Sequence, residues 1–383
     1  MLSMTPPMGW NSWNTFGNRI NEQLIMETAD AMVSTGLHAA GYEYVVIDDC
    51  WSKMRRENGK IVADPEKFPH GMKYVADYIH SKGLKFGMYS CAGVQTCYGA
   101  PGSFDHEFED AQMFADFGVD FLKYDFCNKP ATAHGPTLYN RMAMALRATG
   151  RDILFSACNW GSDNVGEWIR STGAHMYRST GDIKDNFVSC TDILLSQIKN
   201  FCYSAPGCWN DMDMLTVGMY GAGNVAFGGC TDEEYRTQFA LWCLFQSPLM
   251  IGCDVRNMSP ETLAILTDPE LLRLHRDPEA RPPFVVTDRN FWDNSPNPES
   301  TGRITFCKVL ADNEYAIACV NFTDQDAVIT PHFFDMGLTS HSGYALEMTD
   351  IRSGEVLPLC DDFVQIPVPT HAIRIFRSKL VRV

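Results

Sequence analysis

In the stretch "FLKYDFC" (121–127), Lys123 and Asp125 stand two residues apart at the end of an apolar run. Side chains alternate faces along a strand, so the two groups project from the same side, one layer apart. A cation beside a carboxylate favours its ionised form, which is what a carboxylate nucleophile needs. A local ion pair closing a strand would have the same pattern, and the rest of the chain must decide between the two. Similar groups recur after other apolar runs: Trp13, Asp48 and Asp49, Tyr89, Asn159 and Trp160, Arg178 and Asp182, Asp211 and Asp213. Taken singly, each of these aspartates is more simply a loop residue or a helix cap. Gathered on one rim, they suit a sugar or polyol, because hydroxyls take bidentate acceptors and C–H faces stack on flat rings. Asp125 is then the best nucleophile, and Asp182, on a different strand across the substrate, is the general acid. Arg178 lies four residues before Asp182 and would lower its pKa, so burial and substrate have to oppose that pull.

The elements that position these groups alternate regularly through the first 275 or so residues. Strand runs are read at 8–13, 44–51, 84–90, 120–126, 153–160, 175–182, 207–215 and 249–254. Helical patterns follow them, for example from Asn21 as N-cap to Gly36, over 72–81, 107–117, 138–148, 165–171, 188–201 and 233–245. Ser259 and Pro260 make a capping pair for one more. Eight strand and helix units in about 250 residues predict a (β/α)8 TIM barrel, with its active site at the carboxyl ends of the strands. A doubly wound sheet is the alternative, but no GxGxxG turn follows the first strand. The barrel is expected over residues 1–280. Past residue 285, "GRITFCKVL" (302–310), "EYAIACVNF" (314–322), "GYALEMTD" (343–350) and "HAIRIFR" (371–377) predict a small antiparallel β-sandwich domain over 285–383. The segment "NSPNPESTG" (294–302) reads as a loop within it.

The bulk properties narrow the field. The 383 residues are 45% hydrophobic and 20% charged, an ordinary globular balance. A net charge of −16 argues against nucleic acid or an anionic membrane surface as partner. The longest tight apolar run, "FALWCLF" (239–245), is far below the roughly 20 residues of a membrane span. The start carries neither a basic nor an apolar leader region, so a cytoplasmic location is the default, although a trimmed secretory chain would read the same way. Fourteen cysteines lack CxxC spacing and read as core thiols. Two other classes stay open: a Mg²⁺-dependent, enolase-like barrel and a non-catalytic sugar-binding protein. Against the first, the rim aspartates are mixed with Trp, Tyr, Lys and Arg, and no histidine joins them. Neither metal nor cofactor is expected, and self-association is left open.

The segments "TPPMGWNSWNTFG", "YEYVVIDDCW", "GMYSCAGVQTC", "PGSFDHEFEDAQMFADFGVDFLKYDFC", "YRSTGDI", "CWNDMDML" and "LMIGCDVRNMSPETLAIL" together resemble the α-galactosidase (melibiase) family, which includes α-N-acetylgalactosaminidases. The resemblance runs in order from residue 5 to about 280 and is weaker beyond. It implies a barrel without metal that releases terminal α-linked D-galactose from oligosaccharides or glycoconjugates by a retaining double displacement. On matching positions it implies Asp125 as nucleophile and Asp182 as acid/base. It further implies Asp48 and Asp49 on the 4- and 6-hydroxyls, Lys123 on ring hydroxyls and Arg178 on the 2- and 3-hydroxyl side, with Trp13, Tyr89 and Asp213 lining the pocket. Cys97 and Cys127 match a family disulfide, the alternative being two reduced thiols. A second family bridge, to a cysteine upstream of "DDCW", is ruled out because Cys50 is the first cysteine of the chain. The chain departs from the family in "CNWG", where Asn159 replaces the usual Glu near the sugar's 2-position, with Trp160 adding bulk beside it. Asn can still bond a hydroxyl, so galactose is favoured over N-acetylgalactosamine. Cys91 stands where the family has Asp and reads as structural, while the retained Asp49 implies a hydroxymethyl on the sugar.

Overall fold

Eight short parallel strands make up the first part of the chain in the computed structural model, which describes residues 2–286 and 302–383. They are β1 (Met8–Asn11), β2 (Tyr44–Val46), β3 (Lys85–Cys91), β4 (Phe121–Asp125), β5 (Leu154–Cys158), β6 (Met176–Arg178), β7 (Trp209–Asp211) and β8 (Leu249–Ile251). Their order is β7-β6-β5-β4-β3-β2-β1-β8. A parallel bridge between Leu215, just past β7, and Ile251 of β8 closes the ring. Two hydrogen bonds hold that seam: Leu215 N to Met250 O at 2.8 Å and Gly252 N to Leu215 O at 3.0 Å. This is the expected barrel.

All strands but β3 are shorter than the runs that announced them. Several of the residues that end those runs leave the ladder and line the barrel mouth, among them Asp48, Asp49, Trp160, Asp182 and Asp213; Trp13 opens a single helical turn, Trp13–Phe16. The helices over Met72–Ser81 and Glu107–Phe117 fall where their periodicity places them. Asn21 accepts the Leu24 amide and Ser259 the Thr262 amide, so both expected caps are made. The helix expected to reach 201 stops at Gln197 and gives way to a 3-10 turn over Phe201–Tyr203. A helix that was not expected, Pro269–His275, comes directly after the Ser259-capped helix Pro260–Leu266, with Asp268 capping the amides of Glu270 and Leu271. Its Asp-Pro start was a usable signal.

Inside the ring, Tyr44, Val46, Phe121, Leu154, Met176, Met214 and Met250 form a separate apolar cluster. On β4, Phe121, Lys123 and Asp125 share one face, so the period of two carries the same strand from this plug into the polar cup above it. Glycine makes room for the plug. A Cβ on Gly9 would lie 2.6 Å from the Tyr44 carbonyl oxygen and 2.7 Å from its Cβ.

Beyond the barrel, β9 (Phe284–Val285), β10 (Arg303–Val309), β11 (Glu314–Asn321), β12 (Ala327–Ile329), β13 (Tyr344–Asp350), β14 (Ile366–Val368) and β15 (Ile373–Arg382) are antiparallel. Five of them form a sheet in the order β13-β15-β11-β10-β9, and β12 pairs with β14 as a small second sheet. The expected sandwich is thus present; β9, β12 and β14 were too short to be read from periodicity. Alternation divides the large sheet's two faces. Ile304, Phe306, Ala316 and Ala318 join the barrel's core, while Cys307, Ile317 and Cys319 pack with Ile329, Ile366 and Val368 of the small sheet. The loop expected over 294–302 lies outside the described residues except for Gly302.

Gly9→Ala should destabilise the protein by about 1–3 kcal/mol, because the added methyl meets backbone that cannot yield. Urea unfolding of the variant measures this, and an unchanged midpoint would show that β1 and β2 can separate at no cost.

Candidate active site

Each group at the barrel mouth is fixed by a neighbour from another strand. Asp48, just past β2, is buried, and its Oδ2 accepts from Lys123 Nζ at 2.8 Å and from Asn11 Nδ2 at 2.7 Å. Its Oδ1 accepts the Asp49 amide at 2.9 Å, and its own amide donates to Ser12 Oγ at 3.0 Å. Asp49 accepts from the amides of Cys50 at 2.7 Å and Tyr98 at 3.0 Å. Lys123 therefore bonds Asp48 directly, while its charge also acts on Asp125. The opening pair on β4 is one side of a three-strand network and not a local ion pair.

Asp125 is held from two directions. Tyr89 OH donates to its Oδ2 at 2.9 Å and the Phe126 amide to its Oδ1 at 2.9 Å. Tyr89 is itself pinned through its carbonyl, which accepts from Trp51 Nε1 at 2.9 Å. Cys97 and Cys127 are joined as a disulfide with Cα atoms 5.3 Å apart, within the usual bridging range. This ties the loop after β3 to the turn after β4, beside the Asp125 carboxylate. The one His, Cys, Asp or Glu grouping tight enough to share an ion, among the described residues, is Cys97, Asp125 and Cys127. Its two sulfurs are already bonded to each other.

Opposite this network stands Arg178, at the end of β6. Its guanidinium bonds Asp213 Oδ1 at 2.8 Å and the Asp182 carboxylate. Asp213 also accepts the amides of Ile183 and Met214, each at 2.7 Å. Arg178 is 5% exposed, whereas the Asp182 side chain is 76% exposed at the mouth. β2 and β6 are four strands apart in a ring of eight, so Asp48 and Asp49 face Asp182 across the cup, with Asp125 on β4 midway. The cup is lined by Trp13, Asp48, Asp49, Tyr89, Cys97, Lys123, Asp125, Trp160, Arg178, Asp182 and Asp213, together with Asn14, Cys158, Ile183, Met214 and Val225. Trp160 and Asp213 reach it from left-handed backbone, at φ 58° and 84°. Such conformations cost on the order of 1–3 kcal/mol each and gather where side chains must be aimed.

Asn159 differs from expectation. It is fully buried, donates from Nδ2 to Ser162 O at 2.8 Å, and does not line the cup. Parity explains this. Leu154, Ser156 and Cys158 alternate on the inner face of β5, with Cys158 in register with Asp125 and Arg178 on either side. The inward residue is therefore Cys158, and following the period from Leu154 would have found it. Asn11, which orients Asp48, was also missed; it stands two residues after the inward Gly9. Asn14, Ile183, Met214 and Val225 carry no polar pattern that could have marked them.

The electrostatics follow from burial and partners. Burial pushes the Asp125 carboxyl above its ordinary range, while Lys123, the Phe126 amide and the Tyr89 hydroxyl pull it back in part. Burial likewise raises Asp49 and Asp213, the latter against the pull of Arg178. The Asp211 carboxyl, buried beneath Asp213, is pushed up to about 6. Asp182 moves the other way: burial opposes the shift, but the charge and hydrogen bond of Arg178 hold it below the usual value. Burial works against the Lys123 charge too, yet Asp48 keeps it protonated above its ordinary value.

A barrel with one orientated, buried carboxylate and a second at the mouth, enclosed by hydroxyl-binding acids and aromatic rings, defines a glycoside hydrolase. The family model for alpha galactosidase A matches residues 5–277, and the chain belongs to that family. An alpha-galactosidase from Cyamopsis tetragonoloba is 40% identical over 380 residues, covering 98% of this chain and 86% of its own. The structure of alpha-galactosidase I from Mortierella vinacea superposes with a TM-score of 0.89 at 33% identity, covering 98% of this chain and 97% of its own. That of the Saccharomyces cerevisiae α-galactosidase with raffinose gives 0.87 at 28% identity, covering 99% and 98%.

Tyr89→Phe removes a hydrogen bond made to the ionised form of Asp125, so that form loses support. The acid limb of kcat/KM should move to higher pH, and kcat/KM at neutral pH should fall about tenfold, the worth of one charge-assisted bond. A pH profile with an unmoved acid limb would exclude Asp125 as the group that must be ionised.

Proposed function

We propose that this protein is a retaining, exo-acting α-galactosidase that removes terminal α-linked galactose from oligosaccharides or glycoconjugates. The observation that carries the reading is the Asp125 carboxylate, buried at the cup floor, oriented by Tyr89 and Phe126 and facing Asp182 at the mouth. In the first step an Asp125 oxygen bonds to the anomeric carbon as its bond to the glycosidic oxygen breaks. Asp182 gives that oxygen its proton. In the second step Asp182 takes a proton from water, the hydroxyl bonds to the anomeric carbon, and Asp125 is released.

The resting site has its proton affinities reversed for this task, with Asp125 raised and Asp182 lowered. Substrate corrects the Asp182 side. Sugar hydroxyls compete with Asp182 for Arg178, and the aglycone covers the exposed Asp182 carboxyl, which desolvates it and raises its pKa. Asp48 and Asp49 serve the 4- and 6-hydroxyls and Lys123 the ring hydroxyls. The wall toward the 2-position is Cys158 and Trp160 beside Arg178, and Asn159 lies behind it.

Asp125→Ala should lower kcat by several orders of magnitude without unfolding the protein, and NMR of the first product should show the α-anomer. A β-anomer would refute double displacement, and an undiminished rate would favour a site elsewhere. On nitrophenyl substrates, α-galactoside should be cleaved at least about tenfold faster than α-N-acetylgalactosaminide, roughly 1.4 kcal/mol of discrimination. Equal rates would mean that the Cys158–Trp160 wall admits the acetamido group.

A further inference from the structure

We propose that Phe227, with Lys184 packed on its ring, is the platform that receives the second sugar of the substrate. The inference rests on Asp182 as the acid/base. That residue must reach the oxygen linking the two sugars, so the departing ring lies against whatever flanks Asp182 at the mouth. On the outward side that is Ile183, which lines the cup, and the exposed Lys184.

The loop after β7 is built onto this segment. Asp185 forms a parallel bridge with Ala226, its amide donating to Val225 O at 3.0 Å and its carbonyl accepting from Gly229 N at 2.8 Å. The buried Asp185 carboxylate accepts from Gly221 N at 2.7 Å and from Tyr235 OH at 2.8 Å, which clamps both ends of the loop. Phe227 is therefore carried at a fixed place against the segment that follows Asp182, while Val225 of the same loop lines the cup.

Phe227, 61% exposed on this clamped loop, offers an apolar ring that the described residues leave largely uncovered. The Lys184 ammonium sits over the ring, 4.9 Å from its centroid. An aromatic face for C–H groups beside an ammonium that donates to hydroxyls matches a pyranose. Two other exposed rings stand near the mouth: Trp160, 38% exposed, follows β5 and already forms part of the cup wall, and Tyr98 has its amide bonded to Asp49. Tyr98 thus stands on the β2 side, across the cup from Asp182 and away from the bond that breaks.

The test compares melibiose, which carries a second pyranose, with α-galactosyl fluoride, which carries none and needs no acid assistance. Phe227→Ala should lower kcat/KM on melibiose about tenfold, mainly through KM, and leave the fluoride within about twofold. Phe227→Trp should restore melibiose turnover, and Lys184→Ala should give a smaller loss on the same substrate only. Equal losses on both substrates, or no loss on melibiose, would overturn the platform while leaving the catalytic reading intact. If the unmodified enzyme turned over neither substrate, both would fall.

Discussion

Lys123 keeps its charge inside the barrel because Asp48 lies 2.8 Å away, and Asp48 stays in place because Asn11 donates to the same oxygen and Ser12 Oγ accepts the Asp48 amide. This one buried contact joins β1, β2 and β4 above the apolar plug. The cup holds five carboxylates and two cations, so each cation is shared. Lys123 acts on Asp48 and Asp125, and Arg178 on Asp182 and Asp213. Breaking the buried Lys123–Asp48 or Arg178–Asp213 pair strands a charge away from solvent, which is strongly unfavourable. Substrate hydroxyls can therefore enter only as replacement partners, a condition that selects polyols over apolar ligands.

The sharing also explains why the resting site is not poised for reaction. Arg178 is saturated by Asp182 and Asp213, and Asp182 remains ionised in their company. A proton-loaded Asp182 requires its carboxyl to lose both solvent and part of its hold on Arg178. A sugar with a second ring attached can supply both changes, so productive binding and acid activation become one event.

Rigid support lets the mouth sustain this tension. The Cys97–Cys127 bridge, the Asp185 clamp and the left-handed backbone at Trp160 and Asp213 hold side chains in directions that relaxed loops would not choose. The stability that offsets this strain comes from elsewhere. One face of the C-terminal sheet shares a continuous core with the barrel helices, for example where Phe245 meets Phe306 edge-on at 5.2 Å. The site lies at the carboxyl ends of the strands, supported by a core it does not disturb.

The chain by itself determined the barrel, because eight alternations of strand and helix period leave few other packings, and caps such as Asn21 and Ser259 depend only on local chemistry. It also marked most of the cup, since polar residues ending apolar strands must gather on one rim once the ring closes. Pairing across strands was not legible. Lys123 was read with Asp125 because they are neighbours in sequence, whereas its hydrogen bond goes to Asp48, brought there by the register of β2, β3 and β4. Asn159 was assigned to the wall because its residue type suggested chemistry, although the parity of β5, counted from Leu154, already turns it behind the wall and leaves Cys158 facing in. Residue type and period are local properties of the chain. Which charge meets which across strands depends on register and closure, and only the assembled barrel decides that.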